Sequence, residues 1–304
     1  MAIRFAFSTL ACPDWSVEQV VEQAKEMGYD GVELRTLGAG GTKLASDPAT
    51  TDPAKVKAAF EGSGVEPMCL STSTAFDARD PGQGKAVYFE VLKHLELAQE
   101  IGCKQVRFFG LKIKPGENRL GVIQRIASRI PEVAEKAMSM GIEVLFENAG
   151  SFNAAKEWWW LLNLVNHPNV GMCWNMANAA SVDTYERGGG MAVTMLNSKI
   201  KLVKVKDTTF GEGSGFCQLG DGDVGVERCL AKLRGVGFDG YITTEWDKAW
   251  LPTLAPADEY LPEALSRMKA WMTAIDEWVE KGRKTAEKAA KKIAPKPRAE
   301  VAAK

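Results

Sequence analysis

Eight short apolar stretches recur along the chain, and each is followed by a segment with helical spacing. The apolar stretches are IRFAFSTLA (3–11), GVELR (31–35), EPMCLST (66–72), QVRFFG (105–110), IEVLFEN (142–148), NVGMCWN (169–175), IKLVKVKD (200–207) and GYITTEW (240–246). Helical spacing follows near 16–28, 53–63, 84–102, 119–140, 156–166, 190–197, 224–235 and 258–281. Ser16 before the first helix and Gly28 after it are ordinary start and stop residues, and Asp52-Pro53 opens the second. Strand-then-helix repetition requires crossover connections, so the strands are expected to lie parallel. Eight such units favour a closed (β/α)8 TIM barrel, an α/β fold, over an open doubly wound sheet. An open dinucleotide-binding sheet should carry GxGxxG after its first strand, but the chain reads STLACPDW there. The glycine-rich GAGGT (38–42) follows the second strand instead, and is expected to be a flexible loop. The barrel is expected to occupy 1–281 as a single domain. Residues 282–304 form a Lys/Ala-rich basic tail that extends the last helix and then frays in solvent.

In such a barrel the chemistry belongs to the C-terminal ends of the strands. The polar residues there are Glu33, Arg35, Ser71, Thr72, Arg107, Glu147, Asn148, Asn175, Lys204, Lys206, Asp207, Glu245 and Asp247, with Asn178 just beyond. Alternation narrows the set. In VLFEN, Leu145 and Glu147 share one face, with Val144 and Phe146 on the other. In KLVKVKD, the Val face packs against helices if Leu202, Lys204 and Lys206 point inward. A buried lysine is costly unless paired, and Glu147 and Glu245 are the natural partners. The competing reading is that both lysines reach to the rim with their stems along apolar surface.

The bulk numbers exclude little but consistently. Apolar residues make up 45% and charged residues 25%, as in an ordinary globular protein. The formal net charge of −1 provides no global field for nucleic acid or membrane, and neither is expected as a partner. The N-terminus has no basic region leading into an apolar core, and no apolar run reaches the roughly 20 residues of a membrane span. The six cysteines are scattered singly, as expected for free thiols in a cytoplasmic protein. WWW at 158–160 cannot bury three rings on one helical face. At least one ring is expected at a loop or subunit contact, which points to a homo-oligomer.

Several of these stretches resemble the xylose-isomerase-like barrels of the sugar phosphate isomerase/epimerase superfamily. FSTLACPDWSVEQVVEQAKEMGYDGVELR is similar to the family's first βα unit and second strand. IEVLFENAG, HPNVGMCWNMANA, KLVKVKD followed by QLGDGDV, and GYITTEW are similar to its fifth to eighth strands. The resemblance covers roughly residues 1–280, and its specificity lies in order and spacing rather than in any single motif. It implies the barrel, a small-molecule sugar or sugar-derived substrate, and a divalent metal held by Glu, Asp, His and Glu from strands five to eight. The metal binds adjacent oxygens of an open-chain sugar while carboxylates move a proton through an enediol.

This chain departs from that set. Glu147 and Glu245 match the outer ligands, but Asn175 stands at the aspartate position, Asn178 at a second-shell or substrate-binding histidine position, and Lys204 at the histidine ligand. The two histidines, His94 inside a helix and His167 before Pro168, are expected to be structural. An ammonium beside a divalent cation is repelled. No cofactor is therefore favoured, and Lys204 is expected to fill the metal position. The alternative is weak Mn²⁺ or Mg²⁺ binding by Glu147, Asn175 and Glu245.

The site expectation is Glu147, Glu245 and Lys204 as catalytic residues, with Asn175, Asn178, Lys206, Arg107 and Trp15 contacting substrate. Trp15, Phe76, Phe109, Trp174 and Trp246 are candidate stacking faces, or else core. The expected activity is an isomerase, epimerase or related lyase on a ketose-type hydroxy-carbonyl compound. A buried lysine with a lowered pKa would offer Schiff-base chemistry instead. The competing reading is a non-catalytic sugar-binding or regulatory barrel. A metal-dependent nuclease of the same shape needs several histidines that this chain lacks.

Overall fold

The computed structural model describes residues 3–36, 52–110, 112–182 and 184–293. Strands β1 (Arg4–Ser8), β2 (Gly31–Arg35), β3 (Glu66–Ala75), β4 (Gln105–Phe109), β5 (Glu143–Glu147), β6 (Val170–Asn175), β7 (Ile200–Val205) and β10 (Tyr241–Thr244) close into a barrel. Its order is β1-β10-β7-β6-β5-β4-β3-β2, with every neighbouring pair parallel. A small antiparallel hairpin, β8 (Asp207–Thr208) with β9 (Phe216–Cys217), rises from the loop after β7.

Helices α1 (Val17–Met27), α2 (Pro53–Phe60), α3 (Pro81–Ile101), α4 (Arg119–Ser139), α5 (Ala155–Val165), α6 (Met176–Ala180), α7 (Gly190–Leu196), α8 (Val226–Gly235) and α9 (Ala257–Ile293) connect the strands. Their ends follow the expected chemistry. Ser16 Oγ accepts from Gln19 N at 3.2 Å to start α1, and Gly28 ends it at φ 83°. Asp52 Oδ1 accepts from Ala54 N at 2.9 Å to start α2 ahead of Pro53.

Strand alternation sorts the core into two parts. Phe5, Phe7, Val32, Leu34, Val106, Phe108, Val144, Phe146, Met172, Trp174, Val203 and Val205 face outward and pack under the helices. Ala6, Met68, Cys69, Leu145, Cys173, Leu202 and Tyr241 form a separate cluster inside the barrel. One step further along the same inward rows, the residues become polar, and that change builds the site.

Two local features differ from expectation. The first strand ends at Ser8, because Thr9–Ala11 turns into a short 3-10 helix capped by Ser8 Oγ. The short helix α6 was not anticipated, because MANAA is only one turn long. The last helix continues past residue 281 to Ile293, as expected of the tail, and none of residues 276–287 is buried. GAGGT and residues 294–304 lie outside the described residues. Of the three tryptophans, Trp158 is buried against Phe146, while Trp159 and Trp160 are 45% and 42% exposed. Among the described residues, no helix is long and apolar enough to cross a membrane.

Candidate active site

Lys204 occupies the centre of the upper barrel and is fully buried. Its Nζ lies 2.9 Å from Glu33 Oε1, 3.2 Å from Glu147 Oε2 and 2.7 Å from Glu245 Oε2. Three strands on different sides of the barrel thus direct carboxylates at one ammonium. The placement follows from parity: Leu202 is on the barrel floor, so Lys204, two residues on, points inward above it. Burial alone would pull the Lys204 pKa down. Glu147, Glu245 and Glu33 outweigh that effect and hold it above the ordinary lysine range. The expectation of a lowered pKa, and with it a free amine for a Schiff base, is therefore corrected. Three carboxylates around one ammonium favour the protonated form.

Asn175 closes the cluster on the β6 side. Its Nδ2 donates to Glu147 Oε1 and to Glu245 Oε1, both at 3.0 Å. Its Oδ1 accepts from Asn178 N at 3.2 Å, which starts α6. Asn175 N donates to Asn148 Oδ1 at 2.7 Å, and Asn148 Nδ2 returns a bond to Asn175 O at 2.9 Å. Asn178 Nδ2 donates to Asn148 O at 2.9 Å. These amides tie the ends of β5 and β6 together. An aspartate at 175 would cap the helix equally well but would present an anion, not a donor, to two carboxylates.

Arg107 is buried and places Nε 2.9 Å from Glu147 Oε2. Its Nη1 donates to Thr72 O at 2.5 Å, and its guanidinium lies 4.1 Å from the Phe109 ring. Lys206 stands at the rim, because β7 ends at Val205. It donates to Glu245 Oε1 and Asp247 Oδ2, both at 2.8 Å. The two lysines overcome the effect of burial and hold Glu245 well below the usual carboxylate range. Asp247 is displaced upward, first by burial and then by the Glu245 charge. Both lysines are buried and paired with carboxylates, as the inward reading expects.

The remaining candidates separate. Trp15 is half-buried and packs against the outer core. Phe76, Trp174 and Trp246 are also core: Phe76 meets Phe146 edge-on, and Trp246 stacks on Tyr260 at 3.7 Å. His94 is buried beside Thr74, and His167 sits near Glu135, both away from the cluster. Asp207 accepts from Thr208, Gly220 and Val224 backbone N–H groups, so it shapes the loop after β7. Glu33 is the residue that sequence reasoning placed at a strand end but did not assign to the cluster. Ser8 Oγ donates to its Oε1 at 3.1 Å, and its Oε2 is buried with no hydrogen-bond partner. The signal was available in GVELR, where Glu33 falls in the inward row like Glu147 in EVLFE.

A divalent cation does not fit this donor set. The point where Glu33, Glu147 and Glu245 converge is held by an ammonium. Asn175 directs N–H groups at the carboxylates, and its oxygen is engaged by Asn178 N. Among the described residues no group of three or more His, Cys, Asp and Glu side chains is arranged to hold a metal ion.

Comparison with known proteins matches this architecture. The family described as xylose isomerase-like TIM barrel matches residues 21–271. Among solved structures, an L-ribulose 3-epimerase is similar at TM-score 0.74 and 15% identity, covering 97% of this chain and 100% of its own. The IolI protein with a binding zinc atom is similar at TM-score 0.72 and 17% identity, covering 90% and 98%. A D-allulose 3-epimerase from Methylomonas sp. is similar at TM-score 0.71 and 19% identity, covering 88% and 98%. A search of curated proteins finds no match. Identities this low establish a shared fold. The family match covers most of the chain, and on that basis the protein belongs to the xylose isomerase-like TIM barrel family.

Proposed function

We propose that this chain is a sugar isomerase/epimerase-like enzyme of carbohydrate metabolism, acting on a small ketose-type hydroxy-carbonyl compound without a bound divalent metal. One observation carries this reading: three carboxylates converge on the Lys204 ammonium where strand ends of this fold carry catalytic groups. The solved structures that resemble it include sugar epimerases, which supports the substrate class.

The chemistry follows from the charges. A carbonyl oxygen brought near Lys204 is polarised by a fixed positive charge in a water-poor site. The proton on the adjacent carbon becomes acidic, and a carboxylate takes it, leaving an enediolate whose charge faces Lys204. Returning the proton to the other face inverts the centre, and returning it to the neighbouring carbon moves the carbonyl. Glu147 and Glu245 are the two carboxylates for this exchange. Each carboxylate meets two cations, Glu245 both lysines and Glu147 Lys204 and Arg107, and Glu147 is assigned the first proton. Arg107, Asn175, Asn178 and Lys206 are assigned to substrate contact.

A second reading is a sugar-binding or regulatory barrel without turnover. The complete pairing of Lys204 favours it, because substrate must compete with three carboxylates for one ammonium. Incubation of unlabelled ketoses with EDTA-treated protein in D2O decides between them. Deuterium incorporation next to the carbonyl, abolished in Glu147→Gln, supports the enzyme. Saturable binding with no incorporation supports the binding protein. Activity that appears only with added Mn²⁺ or Mg²⁺ would sink the metal-free mechanism.

A further inference from the structure

Arg35 differs from the other cations of the charged layer. Arg107, Lys204 and Lys206 each meet a carboxylate. Among the described residues Arg35 meets none. Its guanidinium is 5% exposed and donates only to neutral oxygens: Thr36 O at 2.7 Å, Ser71 O at 3.2 Å and Ser73 Oγ at 2.9 Å. Burial and the nearby Arg107 pull its pKa to about 10 against the opposing charges of Glu33, Glu147 and Glu245, which still leaves it charged at neutral pH. A buried guanidinium whose hydrogen bonds, among the described residues, all go to neutral oxygens suits an anion that arrives from outside.

The surroundings give such an anion a place. Ser73 lines a cleft of about 510 Å³ at the C-terminal ends of β3 and β4, together with Phe109, Lys112 and Lys114. Asp77 also lines it, but its Oδ2 accepts from Lys112 N at 3.0 Å. Neither lysine side chain forms an ion pair among the described residues. Phe109 belongs to both regions, since its ring lies against Arg107, which pairs with Glu147. A ligand can therefore extend from the carboxylate cluster across Phe109 into the cleft.

We infer that this cleft binds an anionic substituent of the substrate, a phosphate or a carboxylate, through Lys112, Lys114 and the charge of Arg35 behind Ser73. The substrate would then be a phosphorylated ketose or a keto sugar acid rather than a neutral sugar. This inference rests on the proposed function for the identity of the reacting end. Two ammonium groups at the cleft and a guanidinium charge behind Ser73 suit either oxyanion.

Calorimetric titration tests it, with inorganic phosphate, a ketose phosphate, a keto sugar acid and the neutral parent ketose as probes. The expected result is that an anionic sugar binds roughly tenfold or more tighter than its neutral parent. That preference is expected to shrink in Lys112→Gln/Lys114→Gln and as salt rises. Both substitutions lie at the cleft surface, so unfolding is not a concern as it would be for Arg35→Gln. Preference for the phosphate ester or for the acid identifies the source of the anion. Equal binding of neutral and anionic sugars, with turnover of the neutral one, overturns the inference and leaves the proposed function standing. An anion preference lost in the lysine variants, without deuterium exchange, upholds the inference while the proposed function fails.

Discussion

The lower and upper halves of the barrel interior are built from the same strands in the same inward rows, yet they are chemical opposites. Leu145 lies below Glu147, Cys173 below Asn175 and Leu202 below Lys204. Both levels are sealed from water. The floor excludes water with largely apolar volume, and the Tyr241 hydroxyl accepts from Arg4 at 3.2 Å. The upper layer buries charge, which is tolerable only because the ions answer one another. A packed floor tolerates loss of volume in proportion to what is removed. A buried charge network fails once one partner is missing.

The largest effect should come from Lys204→Met. It leaves three buried carboxylates facing one another, and urea unfolding at neutral pH is expected to show a loss of about 3–5 kcal/mol. Much of that loss should return in mild acid, as the carboxylates take up protons. Removing the ammonium also frees the converging oxygens. Mn²⁺ should therefore raise the melting temperature of the variant and leave the parent protein unchanged. Equal metal stabilisation of both would show that Lys204 does not exclude the ion.

Leu145→Ala probes the floor and is expected to cost about 2–5 kcal/mol, according to how far the site collapses. Its deficit should be nearly the same at pH 5 and pH 8, since no ion pair is broken. A pH-dependent deficit would mean that the two layers are coupled.

In the parent protein the pH dependence should come from the upper layer. Glu245 is held below its ordinary value, so its stabilisation is present above about pH 4 and is lost as the pH falls further. Lys204 and Lys206 are held above theirs, so their stabilisation is complete below about pH 10 and fades as pH rises beyond it. Stability is expected to plateau between these limits. A fall already evident at pH 7–8 would contradict the pairing of the lysines.

The smallest change is expected outside the barrel. Trp159→Ser/Trp160→Ser alters exposed rings and should shift stability by no more than about 0.5 kcal/mol in a monomer. Light scattering checks whether these rings instead hold subunits together, in which case the same variant would lower the mass.

The chain could be read far into this site because strand geometry is local. Period-two alternation places Glu147 above Leu145 and Lys204 above Leu202 from the sequence alone, and the pairing of Lys204 with Glu147 and Glu245 follows once the barrel closes. Alternation alone did not show where a strand stops. KLVKVKD reads as one strand through Asp207, but β7 ends at Val205, and Lys206, still buried, meets Glu245 and Asp247 beyond the strand end. Nor did it separate Asp207, which binds the backbone of its own loop, from the residues that face the interior. For the aromatics the sequence left two readings open, and Phe76, Trp174 and Trp246, which follow or end strands, take the core one.

The sequence by itself determined the eight repeated units, the inward rows and the absence of an acid at 175 and a histidine at 204, because these depend on residue identity and short-range periodicity. Only the tertiary structure decided that Glu33 joins the cluster, that Arg35 donates to neutral oxygens among the described residues, and that both lysines stay protonated. Those outcomes depend on which strands face each other across a closed barrel and on how much water is excluded between them, quantities that no local spacing encodes.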